Sequence, residues 1–515
     1  MTKICASFLG VAAFVLPGFA QSVLDEEGER YMALHPGIVI THMEDVMDGK
    51  FVDPSSQKVL TGLPPFRRIA LIARPVPESD IRIEVWMPIK NWNGRFLGTG
   101  NNGGAGRMNY DALRSGLDMG FAVANTDMGT SPAARLVYDY PERWKDFGYR
   151  ATHEMTVIAK KFIQEYYQET SFYSYFQGCS TGGQQALSEA QRYPEDYDGL
   201  LAGAPANNRT HLHVMFLWCH ALCNEDAELM FTQEQLRKIT EIAIRKNAGK
   251  DGGAPTDNFL TDPRMAVVDF EDFASFLSER QIEVLKKIMS GPVNPVTGEQ
   301  IYCPYPVNSG DKPLGQAYFQ SESAVYNQFY PFVWAFGKDF DYRQFDFDQD
   351  MAKMDSILAP LLNANDPDLN PLKERNGKIL MYTGTCDPIV PFQDAIHYYE
   401  RVVKEVGSLE ETQDFFRYFI IPGMGHCGGG PGMNSVAKDM LAALMNWVER
   451  NEAPEYVIAT RYKEGSKGVV EMRRPVFPYP DFPEYVGGNP AMPQNYKRVA
   501  HPRGNVVVPA ERYLE

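Results

Sequence analysis

Three residues, a serine, an aspartate and a histidine, stand where acyl-transfer chemistry would need them. Gly178-Cys179-Ser180-Thr181-Gly182, with Gly183 next, is a G-x-S-x-G placed where a strand-like run gives way to helical spacing. A nucleophilic serine on such a turn sits on a strained elbow with its hydroxyl exposed, and the glycines let strand and helix approach closely. The helix that follows brings backbone N–H groups and a positive dipole end near a developing oxyanion. Asp387 comes directly after the run ending Met381-Tyr382-Thr383-Gly384. His426 lies in the turn Pro422-Gly423-Met424-Gly425-His426, after the run ending Phe419-Ile420-Ile421. A serine needs a base and the base needs an orienting carboxylate, and the chain order Ser180, Asp387, His426 supplies both at strand ends. The other histidines fit less well. His153 and His397 fall in helical stretches, His211, His213 and His220 in a long insertion, and His35, His42 and His501 near the termini. One of the insertion histidines facing a substrate is the exception to a structural reading of that group.

Cysteines flank two of these three residues. Cys179 immediately precedes Ser180 and Cys427 immediately follows His426. If serine and histidine come within hydrogen-bonding reach, their chain neighbours come within the roughly 4.4–6.8 Å Cα separation that a disulfide needs. The placement predicts a Cys179–Cys427 bridge pinning the elbow to the histidine loop. With Cys5 assigned to a leader segment, an even number of cysteines remains, which favours further disulfides among Cys219, Cys223, Cys303 and Cys386, in any of three connectivities. No CxxC or HExxH pattern supports zinc.

The run Gly98-Thr99-Gly100-Asn101-Asn102-Gly103-Gly104-Ala105-Gly106 follows the strand-like Phe96-Leu97. Formally it contains G-x-G-x-x-G, with Asp127 further on. However, Arg107 to Ser115 makes a poor buried helix, and no second mononucleotide half follows Asp127. In a hydrolase the same position is the early loop that donates an oxyanion-hole N–H. The expected donors are the N–H of Thr181 and that of Gly103 or Gly104.

Strand-like runs at Arg68–Ala73, Ile81–Met87, Arg95–Gly98, Gly120–Asn125, Phe172–Phe176, Leu200–Gly203, Lys378–Thr383 and Arg417–Ile421 are the elements that must position these residues. They alternate with helical spacing at Ala151–Tyr167, Gly182–Arg192, Phe392–Val406 and Ser435–Trp447. That pattern predicts an α/β fold with a mostly parallel sheet covered on both faces. Residues 206–375 differ in kind: they are loop-rich and aromatic, with helical stretches near Thr232–Lys246 and Ser278–Met289, and read as an inserted lid. The expected organisation is a leader over 1–20, the core's first part over 21–205, the lid over 206–375, and the core's second part with a C-terminal extension over 376–515. Residues 21–65 carry no sharp signature, and the chain from Tyr456 onward reads as an irregular extension.

The 515 residues include 66 acidic against 50 basic side chains, and a net charge of −16 disfavours nucleic acid and anionic lipid as partners. Lys3, the apolar run to Pro17 and Gly18-Phe19-Ala20 have the layout of a secretory signal peptide, too short to span a bilayer. The expectation is a secreted or periplasmic protein with no later membrane span. A single sequon, Asn208-Arg209-Thr210, is uninformative in a chain of this length.

Gly178-Cys179-Ser180-Thr181-Gly182-Gly183, Asp387-Pro388 and Gly425-His426-Cys427 together resemble the tannase and feruloyl esterase family over about Phe96 to Trp447. The resemblance implies a secreted serine esterase with an α/β-hydrolase core, a large lid, and cysteine-flanked catalytic Ser and His. It implies Ser180 as nucleophile, His426 as acid and base, and Asp387 as orienting carboxylate. The implied substrates are small esters of aromatic, phenolic acids, with terephthalate monoesters, lipids or peptides as alternatives within the same chemistry. Phe216, Trp218, Phe319, Tyr326, Phe332 and Trp334 are candidate walls or lid core. A binding protein without catalysis on the same scaffold is the alternative of a different class. No cofactor is needed for the chemistry. Family resemblance also implies a structural calcium in the lid, here through Asp251 and Asp257 with backbone carbonyls. Gly and Lys stand where further carboxylates are expected, and the other reading of this stretch is a solvated acidic loop.

Overall fold

The computed structural model describes residues 26–305, 328–466, 468–500 and 506–514. The leader assigned to 1–20, Phe319, Tyr326 and His501 lie outside the described residues. At the centre is a nine-stranded sheet. Its strands in chain order are β1 (Ile38–Val46), β2 (Phe66–Ala73), β3 (Ile81–Pro88), β4 (Arg95–Thr99), β5 (Ala122–Thr126), β6 (Tyr173–Cys179), β7 (Gly199–Gly203), β8 (Lys378–Gly384) and β9 (Phe416–Ile421). Their spatial order is β1-β2-β3-β5-β4-β6-β7-β8-β9. From β5 to β9 all neighbours are parallel, whereas β1, β2, β3 and β5 meet antiparallel.

β7, β8 and β9 are buried along their whole length and β4 along all but its first residue, as parallel strands covered on both faces must be, while β6 starts on the exposed Tyr173 and is half-buried at Gln177 and Cys179. In β8, Ile379 and Met381 pack into the core on one face, and Leu380 and Tyr382 into the core on the other. The helices that cover these faces include α1 (Ala151–Tyr167), α2 (Thr181–Arg192), α3 (Arg209–Asn224), α4 (Phe392–Val406) and α5 (Ala437–Arg450).

The crossover from β7 to β8 runs through residues 206–375, with α3 and further helices at Gln233–Asn247, Glu279–Ser290, Tyr330–Phe336 and Gln349–Leu362. Its aromatic residues do not form a separate core. Phe216, Phe332 and Trp334 join the cluster that covers one face of the sheet. Trp334 stacks on Trp144 at 5.6 Å and donates its indole N–H to the Ala134 carbonyl at 2.9 Å.

Two stretches depart from their sequence reading. Residues 21–65 contain a helix, Glu26–Leu34, a two-stranded ribbon of Lys50–Val52 with Val59–Thr61, and the edge strand β1. The tail after Tyr456 is not irregular, because it forms two antiparallel ribbons, Val457–Tyr462 with Val470–Val476 and Asp481–Tyr485 with Tyr496–Ala500. These elements are exposed along much of their length and rich in charged side chains, so the hydrophobic alternation that marks a half-buried strand is weak in them.

Candidate active site

Ser180 occupies the sharp turn between β6 and α2, with φ 65° and ψ −119°, a left-handed backbone that a side-chain-bearing residue adopts only under constraint. Close packing supplies the constraint. A Cβ on Gly178 would sit 2.4 Å from the Gly182 carbonyl, and one on Gly100 would sit 2.5 Å from Gly182 Cα. The elbow therefore closes only because glycine stands at these positions. The Ser180 N–H donates to the Gly203 carbonyl at 2.9 Å, tying the turn to the end of β7.

The early loop after β4 is laced to the same turn. Gly182 N–H donates to the Asn101 carbonyl at 2.8 Å, and Asn101 N–H donates to Gln185 Oε1 at 2.8 Å. Thr181 Oγ1 donates to the Gly103 carbonyl at 2.6 Å. Thr181 is the first residue of α2, so its own N–H has no intrahelical acceptor. Gly103 is held beside Thr181 by that bond to its carbonyl and lines the same cavity as Ser180. Asp127 is 1% exposed, and its Oδ1 accepts the N–H groups of Arg82 and Gly129, closing a turn rather than presenting a free carboxylate. Burial pushes its carboxyl up to about 6.

Asp387 and His426 meet at the ends of β8 and β9. Asp387 is 1% exposed, and its Oδ2 lies 2.7 Å from His426 Nδ1. Its Oδ1 accepts the N–H groups of Ile389 and Val390 at 2.8 and 2.9 Å, so the carboxylate is fixed from both sides. The two loops are stitched together by Cys386 N–H to the Met424 carbonyl at 2.9 Å and by Gly423 N–H to Thr385 Oγ1 at 2.8 Å. With Nδ1 engaged by the carboxylate, Nε2 is the imidazole nitrogen left for proton exchange.

Cys179 and Cys427 form a disulfide with a Cα separation of 5.8 Å, joining the elbow to the histidine loop across 248 residues of chain. Cys219, Cys223, Cys303 and Cys386 are buried thiols outside any disulfide, which corrects the expectation of further bridges. Cys219 and Cys223 lie one turn apart on α3, and burial pushes the Cys223 thiol up to about 12, far from the reactive thiolate form.

Ser180 and His426 share the wall of one cavity of about 330 Å³, with Asn102, Gly103, Arg209, His213, Phe216 and Val390 among its other lining residues. Two other histidines also pair with aspartates, His153 with Asp196 at 2.7 Å and His211 with Asp355 at 3.0 Å, but neither lines this cavity. His213 does line it without a carboxylate partner: its Nδ1 meets the Gln328 carbonyl, and burial with the nearby Arg209 charge holds its imidazolium form well below the usual range. Of the aromatic candidates, Phe216 is a wall residue, whereas Trp218, Phe332 and Trp334 pack in or against the surrounding core. Arg209 and His213 carried no motif. Arg209 stood only inside the sequon, whose Asn208 is 1% exposed and donates to the Tyr513 carbonyl.

In the lid loop the carboxylates of Asp251 and Asp257 are already engaged. Asp251 Oδ1 accepts the N–H of Gly253 and Oδ2 those of Thr261 and Asp262. Asp257 Oδ2 accepts the Ala254 N–H, and both its oxygens are paired with the Arg474 guanidinium at 2.6 and 2.8 Å. Donors already aimed at these lone pairs, and a buried cation already in place, do not fit a hard ion needing roughly six to eight oxygens.

The sharp turn at Ser180, the aspartate-held histidine and this sheet order define an α/β-hydrolase fold. The comparisons place it more closely. The family model for tannase and feruloyl esterase matches residues 69–499, and the chain belongs to that family. An uncharacterized esterase of Xanthomonas campestris pv. campestris is 33% identical over 91% of this chain and 90% of its own length. Feruloyl esterase B of Aspergillus niger is 29% identical over 83% of this chain and 86% of its own. Among solved structures, feruloyl esterase B from Aspergillus oryzae superposes with a TM-score of 0.82 at 26% identity, covering 92% of this chain and 99% of that one. No described helix is long and apolar enough to cross a membrane.

Proposed function

We propose that this protein is an exported serine esterase that hydrolyses esters of aromatic, phenolic acids through an acyl-enzyme on Ser180. The observation that carries the reading is the shared cavity wall: Ser180 on its elbow and His426 on its aspartate open into one space, with their neighbours joined by the Cys179–Cys427 bond. In this reading Ser180 Oγ attacks the ester carbonyl carbon as His426 Nε2 takes its proton. The N–H groups of Thr181 and of Gly103 or Gly104 receive the oxyanion. Collapse breaks the bond to the alcohol, which leaves with the proton from His426. Water then attacks the acyl carbon as His426 takes its proton, and collapse breaks the bond to Ser180 Oγ, which receives that proton from His426 as the acid leaves. Asp387 holds the imidazole tautomer throughout.

A phenolic acyl group suits a cavity of about 330 Å³ with Phe216, Leu212, Ile389 and Val390 in its wall, and several named relatives are feruloyl esterases. Export is supported by the composition of residues 1–20 and by a disulfide, which persists in oxidising compartments. An aryl ester is expected to give a burst of chromophore that Ser180→Ala abolishes. A variant that keeps turning over, or a parent protein that forms no fluorophosphonate adduct, would sink the reading. Rates on methyl ferulate, methyl gallate and a terephthalate monoester rank the acyl groups. N-terminal sequencing of protein recovered outside the cytoplasm is expected to start at Gln21.

A further inference from the structure

Among the described residues, Arg209 is the one Lys or Arg side chain in the wall of the cavity that holds Ser180 and His426. It is 3% exposed, and no carboxylate pairs with it among the described residues. A buried charge without a counter-charge is costly, and burial accordingly pushes the guanidinium down from its ordinary range. Such a group persists where the charge that complements it comes from elsewhere.

Its hydrogen bonds show where it is aimed. Nε donates to Gln184 Oε1 at 3.0 Å, Nη2 donates to that same oxygen and, at 2.9 Å, to Thr181 Oγ1, and the guanidinium lies 5.6 Å from the centre of the Phe147 ring. Thr181 Oγ1 spends its own proton on the Gly103 carbonyl at 2.6 Å. That carbonyl and the N–H of Gly104 belong to one planar peptide and point in opposite directions, so fixing the first fixes the second. The chain from guanidinium to hydroxyl to carbonyl thus runs through the residue whose N–H is one candidate oxyanion donor and ends on the peptide that carries another. Donors linked in series polarise one another, and the effect is larger where water is excluded.

We propose that Arg209 is a positioning residue of the oxyanion hole: acting through the Thr181 hydroxyl, it orients the Gly103–Gly104 peptide, and the oxyanion of the transition state is the counter-charge it lacks. The inference rests on Ser180 being the nucleophile. It predicts an effect on the chemical step rather than on substrate capture, because the negative charge exists only during that step.

The test measures kcat and KM separately on a neutral ester, methyl ferulate, for the full-length protein and for Arg209→Met, Arg209→Lys, Thr181→Val, the Met/Val double variant and Ser180→Ala. Loss of an oxyanion-hole donor costs roughly 100- to 1000-fold in kcat, and loss of its orientation is expected to cost about 10- to 100-fold. Arg209→Met and Thr181→Val should each lower kcat by that factor with KM within about twofold, and the double variant should be no worse than the poorer single, since both break one chain. Arg209→Lys keeps the charge and should recover part of the loss. Affinity for phenylboronic acid, which becomes tetrahedral on serine, should fall in step with kcat while inhibition by benzoate does not. Thr181→Val changes no charge and almost no volume, so it reports even if Arg209→Met folds poorly. A rise in KM alone, confined to esters that carry a free carboxylate, would overturn the proposal and make Arg209 an anchor for anionic acyl groups. Losses that multiply in the double variant would also overturn it. Activity surviving Ser180→Ala defeats the parent reading and this one together, whereas full Ser180 dependence with unchanged Arg209→Met turnover defeats this one alone.

Discussion

Asp387 and Asp257 are both buried carboxylates, gripped by two backbone N–H groups and one respectively and each by one side chain from farther along the chain, yet their partners differ. Asp387 has a histidine as its partner, 39 residues away, on a loop whose imidazole is 16% exposed at the cavity. Asp257 has Arg474, 217 residues away, with both side chains at 2% exposure or less. An imidazole can pass a proton on during a reaction, while a guanidinium stays charged. A carboxylate facing an exchangeable partner at a cavity can orient and stabilise a reacting group. A carboxylate facing a permanent cation, enclosed between Phe259 and Tyr496 with the guanidinium 5.1 and 4.8 Å from their ring centres, can only hold two segments together. Partner chemistry and access, rather than burial, separate site from clasp.

The widest separation between the two is expected from Asp387→Asn. The amide can no longer impose the tautomer with Nε2 free, and triads that lose this carboxylate lose roughly 10⁴ in kcat while keeping their geometry. Turnover of an aryl ester should fall by about that factor with melting little changed. An amide variant within tenfold of the parent would show that His426 needs no carboxylate here, and the contrast with Asp257 would dissolve. Arg474→Met should do the reverse. Removing one partner of a buried ion pair leaves the other charge stranded, at about 3–5 kcal/mol in stability, and denaturant unfolding should show that loss while kcat per folded molecule stays near the parent value. A stability loss below about 1 kcal/mol would mean that the pair is not a clasp.

The Cys179–Cys427 bond lies between these cases, being a structural tie beside the proposed catalytic pair. Replacing both cysteines with alanine should cost about 2–5 kcal/mol, the range for native disulfides, because the bond closes a 248-residue separation. It should also lower kcat by less than Asp387→Asn does, since the elbow and the histidine loop keep their separate hydrogen bonds. Parallel measurements of unfolding and turnover check both parts. A variant as stable and as active as the parent would reduce the bond to decoration.

What could be read from the chain depends on whether the signal is local. β4, β6, β7, β8 and β9 were legible because each is a short apolar run buried over most of its length. β1 was not, because exposed Val39, Thr41, His42, Glu44 and Asp45 interrupt its apolar positions and a register shift falls between Ile40 and His42. The elbow was legible because close approach of strand and helix admits only glycine, which writes itself into the sequence at Gly178, Gly182 and Gly183. Arg209 was hidden because nothing in Asn208-Arg209-Thr210 distinguishes a surface arginine from one buried against Thr181 and Gln184. Asp257 was open to a wrong reading for the same reason, since its cation comes from a ribbon 217 residues later that no loop motif announces.

The smallest expected effect follows from that last point. A family resemblance favours a metal in the lid, but the lone pairs it would need are taken. Asp251 accepts three backbone N–H groups, and Asp257 accepts one and faces Arg474. Calcium could enter only by displacing donors that point at the same oxygens and by sharing a buried space with a guanidinium, with Gly252 and Gly253 offering no side-chain oxygen in compensation. Dialysis against a chelator should therefore leave the melting temperature and kcat unchanged, and added calcium should raise neither. Arg474→Met sharpens the experiment: Asp257 is then unpaired, but Asp251 remains occupied by N–H groups, so calcium should still fail to restore the lost stability. Restoration by calcium would show that the loop keeps a cation site and that arginine merely fills it. Failure of calcium in both proteins would make the guanidinium the cation for which this loop is shaped.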